Sequence, residues 1–198
     1  MVKLFVGLNF ADKGLLAKKV NGFRKRFDPK YNQYGFPHMA MLAPFEINEH
    51  DKEDLKETLK EELDTFYYDA RTSLNLSFAG LGVHQSKKKS ILYLNPVYGL
   101  NLQYCSEVVL DICKSFMPRA NSYRENSSQF LPLGYFDQEN DLGTVMEHAQ
   151  VEFKNNGEIP IESISLYEKR YGVWIEIDKL ISFDKIEDKF LQLNRAGL

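Results

Sequence analysis

His38 follows Pro37 and opens the apolar alternation Met39-Ala40-Met41-Leu42. A histidine held at the head of a strand suits general acid or base work, because its pKa lies near neutrality. A second chemistry-bearing stretch is His84-Gln85-Ser86-Lys87-Lys88-Lys89. Its imidazole, hydroxyl and lysines would attract a phosphate or a nucleic-acid backbone; the plainer reading is the solvated basic tip of a hairpin. Arg24-Lys25-Arg26 forms another basic cluster, at the end of an expected helix where cations complement the dipole. Tyr31, Tyr34 and Phe36, just ahead of His38, either stack a base or pack their own loop. His50 and His148 fall on charged helical faces and are expected to be exposed. No His/Cys/Asp/Glu set has metal-ligand spacing in an apolar surround, and no glycine-rich phosphate loop is present. Gly80 and Gly82 read as turn residues.

The elements that must position these groups follow from hydrophobic periodicity. Lys3 to Phe10 reads as a buried strand. Leu15, Leu16, Val20, Phe23 and Phe27 mark a helix that stops at Asp28-Pro29. Met39 to Phe45 is a second strand, and Leu55, Leu59, Leu63 and Phe66 form the apolar stripe of a charged surface helix. Leu74 to Phe78 and Ser90 to Leu94 are strands joined by a Gly- and Lys-rich connection. Leu102 to Phe116 is a helix ending near Pro118, and Arg119 to Gln129 a polar loop. Phe130 to Phe136 is a strand, and Asp141 is the expected cap of a helix running through Phe153. Ile161 to Tyr167 and Val173 to Ile177 close the chain as a hairpin turning at Arg170-Tyr171-Gly172. The order strand-helix-strand-helix occurs twice, from Lys3 and again from Ser90, which favours two similar halves sharing a cleft.

Composition bounds the function classes. The chain has 198 residues, 43% apolar and 27% charged, which fits one globular domain. Phe (14) and Tyr (11) are abundant, as in a core rich in strands. A net charge of −3 argues against coating of nucleic acid by bulk electrostatics and leaves room for a small basic site in a mildly acidic surface. Cys105 and Cys113, eight residues apart on a helix, stand about 12 Å from each other, too far for a disulfide, and read as small core residues. No signal-peptide layout and no membrane-spanning run is seen, so a soluble, reducing, cytoplasmic setting is expected. No cofactor is called for, and oligomeric state is not readable.

Several segments in order resemble the two-histidine phosphoesterase superfamily, the 2′-5′ RNA ligase and cyclic phosphodiesterase group, and within it a small bacterial branch. They are Phe23-Arg24-Lys25-Arg26-Phe27-Asp28-Pro29-Lys30-Tyr31, Pro37-His38, Ala43-Pro44-Phe45-Glu46, Phe78-Ala79-Gly80-Leu81-Gly82, Ile91-Leu92-Tyr93-Leu94 and Gly172-Val173-Trp174. The resemblance implies an α+β fold of two pseudo-symmetric lobes, roughly 1–85 and 86–198, each an antiparallel sheet flanked by helices around a central cleft. Terminal strands exchanged between the lobes fit the same scheme. It also implies two His-apolar-Thr/Ser triplets. The first is His38, with Ala40 where a hydroxyl belongs. Aligning Leu133-Gly134 with the usual Leu-Gly puts Phe130 at the second histidine and Pro132 at the second hydroxyl.

Cleaving a 2′,3′-cyclic phosphate needs one group to activate water, one to protonate the leaving oxygen, and donors for the phosphate oxygens. His38 alone remains as catalytic candidate, with His84, Ser86, Lys87 and Lys89 as candidate substrate-binding residues. The resemblance implies a divergent, metal-independent protein that binds a nucleotide or RNA end with weak or no standard turnover. Two alternatives stand beside it: an active phosphodiesterase using His38 with a non-standard partner, and a protein-interaction scaffold.

Overall fold

Leu4, Val6, Leu8 and Phe10 alternate along β1 (Val2–Phe10) and turn one face of it into the core. The computed structural model describes residues 1–10, 14–34, 38–70, 75–87, 89–97, 99–118, 129–137, 142–154 and 157–183. Phe36, Pro37, Lys88, the expected polar loop from Arg119 and the expected cap Asp141 lie outside the described residues, as do the side chains of Tyr34 and Phe66.

After β1 come α1 (Leu15–Phe27), the short α2 (Tyr31–Tyr34), β2 (His38–Ile47), a single 3₁₀ turn at Glu49–Asp51 and α3 (Lys52–Ala70). The chain continues through β3 (Asn75–Gln85), β4 (Lys89–Val97), α4 (Leu100–Phe116), β5 (Leu131–Asp137), α5 (Leu142–Glu152), β6 (Glu158–Arg170) and β7 (Val173–Ser182). All pairings are antiparallel, in the order β2-β1-β6-β3-β4-β5, with β7 on the later part of β6. β6 therefore joins two halves of the sheet: its first residues pair with β3, its later ones with β1 and β7. At the β6–β7 turn Tyr171 (φ 51°) and Gly172 (φ 85°) are both left-handed, the signature of a two-residue primed hairpin turn.

Helices close the core at helical spacing: Leu16, Val20 and Phe23 from α1, Leu55, Leu59 and Leu63 from α3, and Leu102, Cys105, Val109 and Cys113 from α4. Each such leucine contributes roughly 1.5–3 kcal/mol by leaving water. Leu15, expected on the α1 stripe, is instead exposed. α1 packs on β5 and β6, whereas α4 packs on β2 and α3, so each half of the sheet is covered by a helix that follows a strand of the other half. Both cysteines are free and buried; burial pushes the Cys105 thiol up to about 12 and Cys113 higher still.

Two expectations are corrected. Gly80 to Gln85 is not a connection but the second half of β3, because Leu81 to Gln85 pair in register with Leu94 to Ser90. Gly80 takes a left-handed conformation (φ 79°) at the bulge between Phe78 and Leu81, while Gly82 lies within the strand. Arg24 is not part of a solvated basic cluster: it is 1% exposed and paired with Asp28, whose carboxylate lies at 3.2 Å. Helical spacing of four puts the two side chains together under α2, where Tyr31 covers the guanidinium at 5.9 Å.

Candidate functional site

β1, β2 and β6 lay out the face that carries His38. His38 stands opposite Asn9 and Ala40 opposite Gly7; on the other side of β1, Ser163, Ser165 and Tyr167 oppose Asn9, Gly7 and Phe5. Directly opposed residues share a face, so these side chains project together, away from Leu4, Val6 and Leu8. Phe5 is 2% exposed yet lies outside the main core cluster, as this placement requires.

Gly7 makes an aromatic stack possible there. A Cβ on Gly7 would stand 2.8 Å from Phe5 Cε2 and 3.3 Å from Tyr167 Cε2, so both rings lie over bare backbone. Phe5 and Tyr167 stack at 4.5 Å with 3° between their planes. The His38 ring sits 5.2 Å from Phe5 and 5.6 Å from Tyr167, and Trp174 meets Phe5 edge-on at 4.7 Å. His38 is thus held in one plane by ring contacts, each worth about 0.5–1.5 kcal/mol.

Beside the rings runs a polar chain. The Tyr167 hydroxyl donates to Asn9 Oδ1. Asn9 Nδ2 donates to Ser163 Oγ at 3.0 Å and to Ser165 Oγ at 2.9 Å, and the Ser165 hydroxyl donates to Glu176 Oε1 at 3.2 Å. Both serines are 0% exposed, so these bonds offset the cost of burying them. Glu176 is exposed. Burial, reinforced by the Glu176 charge, pushes the Tyr167 phenol up to about 12.

That shift has a sign for stability. The unfolded chain releases the phenolic proton near pH 10 while the folded one keeps it to about 12, so the contribution is whole below pH 10 and is lost from there to pH 12. Wild type is expected to lose more stability than Tyr167→Phe across that window in urea unfolding; parallel losses would remove the assignment.

The strands expected to carry the two triplets meet. Pairing of β2 with β1 steps from Leu42 to Ala40, skipping Met41, and the Met41 carbonyl accepts from Gln129 Nε2 at the entry to β5. Phe130 stacks on Tyr93 at 4.4 Å with 20° between planes. Tyr93 in turn lies over Gly82, where a Cβ would sit 2.5 Å from its ring, and Pro132 stands opposite Tyr93. The two positions expected for the second histidine and hydroxyl hold an aromatic stack and a buried proline.

His84 stands opposite Ile91 near the end of β3, on the face that carries Gly82 and Tyr93, and is exposed. It is a strand residue, not the start of a turn; beyond it Ser86 and Lys89 close the ladder of β3 and β4. There the Ser86 hydroxyl donates to the Lys89 carbonyl at 3.0 Å and accepts from the Lys89 N–H at 3.2 Å. Ser86, Lys87 and Lys89 gather at this tip, the lysines exposed. In the sheet order β1 and β6 lie between β2, which holds His38, and β3. His50 is exposed beside Asp51, and His148, exposed as well, stacks on Phe27 at 5.1 Å. Among the described residues no group of three His, Cys, Asp or Glu side chains is placed to hold a metal ion, and no helix is long and apolar enough to cross a membrane.

Comparison with known proteins bears on this arrangement. No family model matches the chain. Over 185 residues it is 25% identical to a candidate phosphoesterase of Staphylococcus haemolyticus, covering 93% of this chain and 94% of that protein. Among solved structures, Kluyveromyces marxianus Usb1 matches with a TM-score of 0.51 at 13% identity, over 88% of this chain and 97% of Usb1. The same protein determined with uridine monophosphate matches at 0.50 and 13% identity, over 89% and 97%. The Usb1 fold is that of the two-histidine phosphoesterases. This chain shares that fold. The resemblance read from the ordered segments therefore holds, and so does the expected α+β class. Within this two-histidine-like fold, sequence reasoning missed Asn9, Ser163, Ser165, Tyr167 and Glu176. The available signal was Ser163 and Ser165 at alternate positions, interleaved with Ile164 and Leu166, which marks a polar stripe on one face.

Proposed function

We propose that this protein, two-histidine-like in fold, binds a nucleotide or RNA terminus in a cleft between two halves, roughly residues 1–85 and 86–198 with strands exchanged between them, with weak or no standard turnover. One observation carries the reading: His38 is fixed on an aromatic face of β2, while the expected partner position on β5 is filled by the Phe130–Tyr93 stack. A proton-transferring group is typically worth 10²–10⁴-fold in rate, and neither Phe130 nor Pro132 supplies one. What remains is a histidine able to meet a phosphate, with aromatic rings able to meet a base. The similarity to a candidate phosphoesterase supports the phosphate half of this reading, and the uridine monophosphate held by Usb1 supports the nucleotide half. Lys87 and Lys89 supply positive charge at the border, His84 an imidazole, and Ser86 a hydroxyl that would have to leave its bond to Lys89. The reading places the protein in the cytoplasm, where Cys105 and Cys113 remain thiols.

Titration with 2′,3′-cyclic nucleotides and short RNAs at low salt tests the reading. Saturable binding that weakens as salt rises is expected, because few phosphates are neutralised but each releases counterions. No binding at low salt sinks it.

A further inference from the structure

The polar chain beside His38 has a direction, and Glu176 sets it. A carboxylate only accepts, so the Ser165 hydroxyl must donate to Glu176. With its own hydrogen spent, Ser165 must accept from Asn9, which fixes the Asn9 amide with Nδ2 toward both serines. The Ser163 hydroxyl, 3.3 Å from Ser165 Oγ, is then the donor of that pair. Asn9 Oδ1 faces Tyr167 as an acceptor, so the phenol donates to it. All five hydrogens of the chain, two on Asn9 and one on each of Ser163, Ser165 and Tyr167, are committed inside the protein.

This fixes what the face offers a ligand. Tyr167 and Asn9 are half-buried and reachable, and the serines are sealed. The unspent valences of this chain are lone pairs, on the Tyr167 oxygen, on Asn9 Oδ1 and on the second Glu176 oxygen. A phosphate, itself an acceptor beside a carboxylate, finds no donor in it. The buried serines look like replacements for the hydroxyl missing at Ala40, but their hydrogens already point elsewhere.

We infer that Tyr167, oriented by Glu176 through Ser165 and Asn9, is a specificity-determining residue that accepts a hydrogen bond from a ligand hydroxyl or amino group, while the phosphate sits outside this chain. The inference rests on the nucleotide-binding reading. The donor has two sources in a nucleotide, a ribose hydroxyl or an exocyclic base amine, and the chemistry at Tyr167 is the same for both.

Calorimetric titration of four probes separates the sources: uridine, 2′-deoxyuridine, cytidine and 2′-deoxycytidine monophosphates. Wild type is expected to bind the probe carrying the recognised donor about three- to tenfold more tightly than its partner lacking it. A ribo/deoxy difference assigns the hydroxyl, and a cytidine/uridine difference assigns the amine. In Tyr167→Phe, which keeps the ring over Gly7, the ratio is expected to fall to about one. In Glu176→Gln the side-chain amide can donate to Ser165, which releases the chain's direction, and the ratio is expected to shrink with the ring stack intact. Glu176 is exposed, so this variant carries the test even where Tyr167→Phe is unstable. Equal binding of all four probes to wild type, or an unchanged ratio in both variants, overturns the inference and leaves nucleotide binding standing. Failure of all four to bind overturns both.

Discussion

Asp28→Ala is expected to lower the free energy of unfolding by about 3–5 kcal/mol, read as a fall in the urea midpoint at unchanged slope. The side chains of Arg24 and Asp28 are 1% and 0% exposed, so the pair lies out of water. Asp28 Oδ2 accepts from Arg24 Nε and Nη2, both at 3.2 Å, while Oδ1 accepts from the backbone N–H of Lys30 at 3.0 Å and of Tyr135 at 3.1 Å. Truncation to alanine takes the carboxylate away from a buried guanidinium and from both of those backbone donors. Asp28→Asn keeps the shape and some of the bonds and is expected to cost distinctly less. The effect reaches the site, because Asp28 ties the end of α1 to the start of α2 and to β5. A loss under about 1 kcal/mol for Asp28→Ala would mean that the cluster relaxes into water and does not organise these elements.

His38→Phe is expected to weaken binding of a 2′,3′-cyclic nucleotide about tenfold or more with little change in the unfolding midpoint. Phenylalanine preserves a ring against Phe5 and Tyr167, so the packing that positions residue 38 survives. The nitrogens do not survive, and a hydrogen bond to a charged phosphate is typically worth about 1.5–3 kcal/mol, or roughly 10- to 150-fold in affinity. His38→Ala removes ring and nitrogens together and is the less informative change. If His38→Phe binds like wild type, His38 is a packing residue and the ligand lies elsewhere.

The fold was legible where the signal is periodic. Leu4, Val6 and Leu8 announce β1, and Leu55, Leu59 and Leu63 announce α3, because burial demands periods of 2 and 3.6. The β3–β4 hairpin is less legible because two glycines interrupt the alternation; Gly82 is small to admit the Tyr93 ring across the ladder, not to turn the chain. The burial of Arg24 is hidden in the sequence because its partner Asp28 is also the stop signal before Pro29.

One residue of the candidate face was legible too. His38 stands out by type and by its place after a proline, and it does lie on a strand that meets β5. The polar chain was not legible, since Asn9 meets Ser163 and Ser165 across 154 and 156 residues of sequence. Such a network exists only once β6 has paired with β1. Its donor directions follow from one exposed carboxylate, Glu176, which nothing local distinguishes from its neighbours on the surface.

The central claim is binding without efficient two-histidine turnover, and phosphorus NMR of a 2′,3′-cyclic nucleotide with stoichiometric protein reads both parts in one spectrum. The account predicts a shifted or broadened cyclic-phosphate signal that reverts in His38→Phe, with a monoester product forming slowly or not at all. Rapid conversion to the monoester that disappears in His38→Phe would contradict it by showing a working catalyst, and an unperturbed cyclic signal would contradict it by showing no site.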